Sequence, residues 1–286
     1  VSQAERIADA FRSACLAELT ALKPGNVHVF ADGHRLTTAE FVRSAEAAAA
    51  PLAAPGARVG QRILDAVAAT QAAVGTNTNL GIILLCAPLA AAAEAGRIEL
   101  RAALADVLDG LNTDDADLAF RAIVRASPAG LGQVAENDVN QPARVTLRHA
   151  MADAADRDRV ARQYVTAFAD IFDLGLPRLA AAAARKWAEE WTTSAVYLGF
   201  LAEFPDSHIV RKYGGAVAKT VQDSASGFHA RLQASWDPSR LADELLAWDA
   251  ALKANNINPG TSADLTVATL FARRLATILP SARNSG

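Results

Sequence analysis

The chain has little that would tie it to a nucleic acid, a membrane or an oxidising compartment. Basic residues do not exceed acidic ones: 28 Lys and Arg stand against 31 Asp and Glu, for a formal charge of −3 and a pI near 6.0. That balance leaves no basic surplus for a polyanion surface. The only two cysteines, Cys15 and Cys86, lie inside apolar helical patterns and share no spacing suited to zinc, haem or a thiol pair. Buried thiols in a reducing compartment are expected. No apolar run reaches the roughly 18 residues of a membrane span; the longest, Gly81 to Ala93, is interrupted by Pro88. Charge appears by Glu5 and Arg6, with no apolar signal core. A cytoplasmic protein without nucleic-acid or membrane partners is expected. Sustained alternation of β-branched residues is missing, and so are a Walker sequence and a dinucleotide fingerprint.

What is present is helical periodicity. Hydrophobic residues make up 51% of the chain but aromatics only 6%, because alanine supplies much of the apolar content. Alanine favours helices and lets them pack closely. Apolar residues recur at spacings of three and four almost throughout. The pattern predicts one all-α domain of roughly ten to thirteen helices over residues 1–282, with a tail at 283–286 and no sheet. Single helices are expected over 157–174, 177–204 and 209–222, and the last over 262–279. Ser127 to Pro142 is the least helical stretch, and Ser127 to Asp153, the one internal seam, reads as a long functional loop rather than a linker.

Four polar clusters interrupt the helical pattern: Lys23 to His28 (KPGNVH), Thr76 to Gly81 (TNTNLG), Asp206 to Gly215 (DSHIVRKYGG) and Asn258 to Asp264 (NPGTSAD). Each has a plain structural account. Asn77 or Asn79 can N-cap the helix that follows. Thr261 can cap the last helix, with Asp264 three residues on in the place of a capping-box acid. Asp206 or Ser207 can cap a helix that carries His208, Arg211 and Lys212 on one face. Pro24 and Gly25 stop the first helix, with Lys23 near its negative end. His28 and His34 lack a third ligand at zinc spacing, and His149 and His229 stand alone. Each cluster also has a functional account. Helix N-termini bind anions, and a cationic face beside a carboxylate suits a magnesium-bound polyphosphate.

In this order the clusters resemble those of the triphosphoribosyl-dephospho-CoA synthase family, across residues 14–275. That family carries a glutamate matching Glu18 before a Pro-Lys-Pro-Gly-like stretch. It then shows an Asn-Thr-His-Lys-Gly-like turn, here Asn77 to Gly81, and an Asp-Thr-Asn-like stretch ending in Gly-Gly, here Asp206 to Gly215. It closes with Pro-Gly-x-x-Ala-Asp-Leu, here Pro259 to Leu265. Asn79-Leu80 replaces the His-Lys pair, and Ala31 to Thr38 lacks a Gly-Ala-His-x-Asp-Met-like segment. The Ser127 to Asn140 stretch also differs from citrate-lyase and malonate-decarboxylase members. These departures look more like the archaeal and methylotroph relatives.

The resemblance implies glycosyl transfer. The 2′-hydroxyl of dephospho-CoA attacks the ribose C1 of ATP, adenine leaves, and the triphosphate stays attached. Glu18, Asp206 and Asp264 become candidate catalytic carboxylates, with Asp206 and Asp264 also candidates for magnesium. His208 could protonate adenine or bind phosphate. Lys23, Arg211 and Lys212 become candidate triphosphate contacts. Gly25, Asn26, His28, Asn77, Thr78, Asn79, Gly81, Gly214, Gly215, Gly260, Thr261 and Ser262 complete the expected substrate site. Two other readings stay open: the same transfer to the precursor of a methanopterin-type one-carbon carrier, and a non-catalytic nucleotide-binding helical protein. A homodimer is a further expectation.

Overall fold

Two helices that are buried on almost every side organise the chain, and the first of them has no polar face. A computed structural model describes residues 1–30, 37–126 and 138–279. In it, α4 (Leu80–Glu94) buries twelve of its fifteen residues, and α14 (Gly260–Ile278) buries nearly its whole length from Thr261 to Leu275. A helix without a polar face must be surrounded. The run from Gly81 to Ala93 is therefore a core helix, and no helix among the described residues is long and apolar enough to cross a membrane.

Around this pair the chain forms α1 (Gln3–Thr20), α2 (Thr38–Leu52), α3 (Val59–Val74), α5 (Leu100–Asp109), α6 (Thr113–Ala126), α7 (Leu147–Ala154) and α8 (Arg159–Val165). A π-helical turn at Asp170–Gly175 leads into α9 (Leu176–Ala184) and α10 (Glu189–Glu203). Then follow α11 (Ser207–Tyr213), α12 (Gly215–Ala234) and, after a 3-10 turn, α13 (Ala242–Ala254). The described residues form no strand, as the missing alternation predicts. A larger apolar core gathers α1 to α8 around α4 and α14; a smaller one gathers α10 to α13. Helix α10 serves both. Val196 and Phe200 enter the first core; Tyr197, Leu198 and Leu201 enter the second.

The described residues form fourteen α-helices against the expected ten to thirteen: two predicted helices each divide into two, a third ends in the π-helical turn, and α7 is additional. The 177–204 helix breaks at Lys186, whose φ is +60°, and α9 folds back on α10. Nothing local marks this break: the left-handed region is costly for lysine, so packing of the two helices against each other must offset it. The 157–174 helix is interrupted by Ala167 and Phe168, also at positive φ, where Arg159 pairs with Asp170 through two contacts of 2.6 and 2.9 Å. The 209–222 helix breaks at Gly214, at φ +87°. Helix α7 begins inside the region expected to be irregular, with Thr146 accepting from the His149 N–H. Residues 127–137 of that loop, the segment 31–36 with His34, and the tail 283–286 lie outside the described residues.

Helix α14 packs against α1, α4, α10 and the π-helical turn, with Phe271 edge-on to Phe11 at 5.8 Å and both fully buried. Phe271→Ala should cost about 3–5 kcal/mol. Urea titration should show a lower midpoint with an unchanged slope. A loss below about 1 kcal/mol would mean that the site collapses and that α14 is not the rigid spine described.

Candidate functional site

The four clusters meet at the N-terminus of α14, where the two cores join. Thr261 does not cap this helix. Pro259 occupies the cap position and no local side chain bonds the first amides. Asp206 does so from a distance. Its Oδ2 accepts from the Ser262 N–H and from Ser262 Oγ, both at 2.8 Å. Its Oδ1 accepts from His208 N–H at 2.9 Å and Ile209 N–H at 3.3 Å, capping α11. One buried carboxylate thus caps two helices. Burial pushes its pKa up, against the pull of these bonds. With both oxygens occupied, Asp206 does not fit the expected part of magnesium ligand or proton acceptor; its place is structural. Thr261 Oγ1 instead accepts from Ser207 Oγ and the His208 N–H, each at 3.2 Å.

Asp264 is left out of this capping. Among the described residues its carboxylate makes no hydrogen bond, and it keeps a partly exposed side chain. The capping-box reading therefore fails, and the acid is available for chemistry. Burial pushes its pKa well above the ordinary range, reinforced by the negative charges of Asp206, Glu18 and Asp158. It lies against the start of α4. A methyl group on Gly81 would sit 2.0 Å from Asp264 Oδ2, so glycine is required by this approach. Asn77 Oδ1 accepts from the Leu80 N–H at 3.1 Å and supplies the α4 cap bond, although Asn79 holds the cap position. Asn79 is buried, and its side-chain amide has no partner among the described residues. Thr78 donates to Ser44 Oγ at 2.6 Å.

The Lys23–His28 turn closes the other side. Lys23 is fully buried and donates to Glu18, to Asn26 Oδ1 at 3.1 Å and to the Val27 carbonyl at 2.8 Å. Its three donors are filled, so it offers none to a phosphate directly. Burial lowers the Lys23 pKa and raises that of Glu18, and their mutual attraction opposes both shifts. Asn26 donates to Asn258 Oδ1 at 2.8 Å. Gly25, at φ +82°, is pressed under Pro259.

The cations of α11 are engaged differently from one another. Arg211 is half-buried and bonds Asp158 at 3.1 Å, while Lys212 is exposed over the Tyr213 ring. The His208 ring lies against Gly260, where a methyl group would come within 3.2 Å of Nδ1. Gly214 and Gly215 are exposed at the α11–α12 junction. A cavity of about 770 Å³ between α3, α6 and residues 139–142 shares no residue with the clusters. One of about 250 Å³ borders the site through Leu22 and Phe30.

Two participants were not anticipated from the sequence. Asp158 caps α8 and pairs with Arg211. Asp249 on α13 accepts from the Gly25 N–H at 2.8 Å. A signal for Asp249 existed: it interrupts an apolar stripe at Leu245 and Leu252.

The model of the ATP:dephospho-CoA triphosphoribosyl transferase family, CitG, matches residues 4–282. The chain belongs to this family. It is an ATP-dependent transferase, and the family implies ATP and dephospho-CoA as its substrates. A crystal structure from Archaeoglobus fulgidus, described as a candidate triphosphoribosyl-dephospho-CoA synthase, is similar at a TM-score of 0.65 and 23% identity. The similarity covers 83% of this chain and 99% of that one and supports the all-α fold. No curated protein matches the sequence.

Two outcomes follow from the position of Asp264. The fold holds its pKa above the unfolded value, so its ionisation costs stability once the pH exceeds the ordinary carboxylate range. Asp264→Asn removes that cost without removing a hydrogen bond. Thermal melts should place the variant above wild type at about pH 8, with the gain vanishing near about pH 4, where the group is protonated in both states. An equal or lower melting temperature at every pH would contradict the electrostatic account. Gly81→Ala should displace this carboxylate and lower kcat by about a hundredfold, read as adenine release from ATP.

Proposed function

We propose that this enzyme transfers the triphosphoribosyl group of ATP to the 2′-hydroxyl of dephospho-CoA at the polar cluster around Asp264, with release of adenine. The observation that carries the reading is the state of Asp264: it is the carboxylate of the cluster left without a hydrogen bond, while Glu18, Asp158 and Asp206 are all engaged. A raised acid that makes no hydrogen bond among the described residues and keeps a partly exposed side chain suits a general base. The acceptor oxygen bonds to C1 of the ribose as the bond from C1 to adenine breaks. Asp264 takes the hydroxyl proton. Adenine gains a proton as it leaves, and in this reading His208, whose ring lies against Gly260, gives it. The reacting carbon becomes oxocarbenium-like, and the surrounding carboxylates favour that positive charge.

Arg211 and the N-terminal end of α4 are the groups suited to the triphosphate, by charge and by unpaired amides respectively. Glu18 and Lys23 support the cluster as a neutralised pair. No group of three or more His, Cys, Asp or Glu suited to a metal ion occurs among the described residues. Magnesium normally takes one or two carboxylates and completes its shell with phosphate and water. With Asp264 acting as the base and both Asp206 oxygens bonded, the ion would be held by the triphosphate oxygens and water. When bound, the ion would screen the triphosphate charge.

The test supplies MgATP with dephospho-CoA, or separately with a precursor of a methanopterin-type carrier, and follows free adenine. One adenine per dephospho-CoA consumed is expected, with Asp264→Asn losing at least about a hundredfold in kcat. Release only with the pterin compound would move the acceptor assignment to the one-carbon carrier. No release with either would overturn transfer and favour a nucleotide-binding protein.

A further inference from the structure

The Asp249 carboxylate does more than fill a gap in α13. Its Oδ1 accepts from the Gly25 N–H at 2.8 Å and lies 3.3 Å from His28 Nε2; its Oδ2 lies 2.9 Å from Lys253 Nζ. Asp249 and His28 are both buried. One side chain thus holds both ends of the turn from Gly25 to His28. Between those ends, Asn26 and the Val27 carbonyl supply two of the three acceptors of Lys23. The third is Glu18, whose charge acts on Asp264. A continuous set of contacts therefore runs from α13 through the turn to Glu18, and through Asn26 and Gly25 to Asn258 and Pro259 at the start of α14, the helix that carries Asp264.

The same geometry sets the state of His28. An imidazole nitrogen 3.3 Å from a carboxylate oxygen must carry the proton if the contact is to attract. The Lys253 ammonium lies 3.5 Å from that nitrogen but is held closer by Asp249. The proton therefore belongs on Nε2. Nδ1 keeps its lone pair and is buried without a partner. Orientation of an imidazole by a buried acid is a familiar second-layer device.

We propose that Asp249 is a positioning residue of the transferase: by clamping Gly25 and His28 it fixes the turn that holds Lys23 on Glu18 and Asn26 on Asn258, at the start of the helix that carries Asp264. This rests on the reaction proposed above. Asp249 touches no reacting atom; it acts through the loop.

The test compares wild type, Asp249→Ala and Asp249→Asn. Three quantities are read: the ¹⁵N signals of the His28 ring, the kcat of adenine release with MgATP and dephospho-CoA, and the melting temperature. Wild type should show the Nε2–H tautomer. Asp249→Ala should lose that preference and lower kcat by about tenfold or more. Asp249→Asn, which can still accept from Gly25, should recover part of kcat at a melting temperature similar to that of the alanine variant. Should Asp249→Ala fail to fold, Asp249→Asn against wild type makes the same comparison, with an intermediate loss expected. An Nδ1–H tautomer in wild type, His28 signals unmoved by the substitutions, or an altered tautomer with full kcat would each overturn the proposal. If wild type releases no adenine, the reaction assignment falls by itself, and the His28 signals still decide whether the clamp exists.

Discussion

The N-terminus of α14 has amides that its own sequence does not cap, and the Asp206 carboxylate supplies the missing acceptor from 56 residues away. Leaving such donors buried and unbonded costs about 1–3 kcal/mol apiece. The same carboxylate closes α11, so two helix ends are fixed relative to each other by one side chain. Because α14 also packs on α1, α4 and α10, this bond locates every cluster that meets there. It also leaves the two acids in different states: both oxygens of Asp206 are bonded, and Asp264, two positions past the bonded serine, makes no hydrogen bond among the described residues.

The charges around the cluster are arranged at a cost. The Glu18–Lys23 pair is buried, and removing two ions from water is expensive unless every remaining donor is matched. Here each ammonium donor has an acceptor, so the pair specifies a geometry more than it adds stability. Asp264 carries the unfavourable balance, with three neighbouring acids and no hydrogen bond. A local arrangement that opposes stability is where function concentrates. In the proposed reaction these acids suit the positive charge that develops on a sugar carbon, and the half-buried Arg211, bonded to Asp158, suits the polyanion attached to it.

Much of this was legible beforehand, for physical reasons that can be stated. A run such as Gly81 to Ala93, apolar in every direction, can only be a surrounded helix. Alanine-rich periodicity left no route to a sheet. Other features were hidden. The break at Lys186 has no glycine or proline to announce it, because α9 turns back to pack on α10. Thr261 and Asp264 matched a capping box by spacing, yet a more distant acid took the cap. Asp249 lay in a helix that read as ordinary, and only its place within an apolar stripe hinted at a partner.

The chain by itself determined that it would be helical and where four polar clusters would interrupt the helices, because periodicity and helix punctuation are local properties. The tertiary structure alone decided which carboxylate is structural and which is open. A carboxylate's role depends on the donors that reach it, and for Asp206 and Asp249 those donors come from residues 56 and 224 positions away.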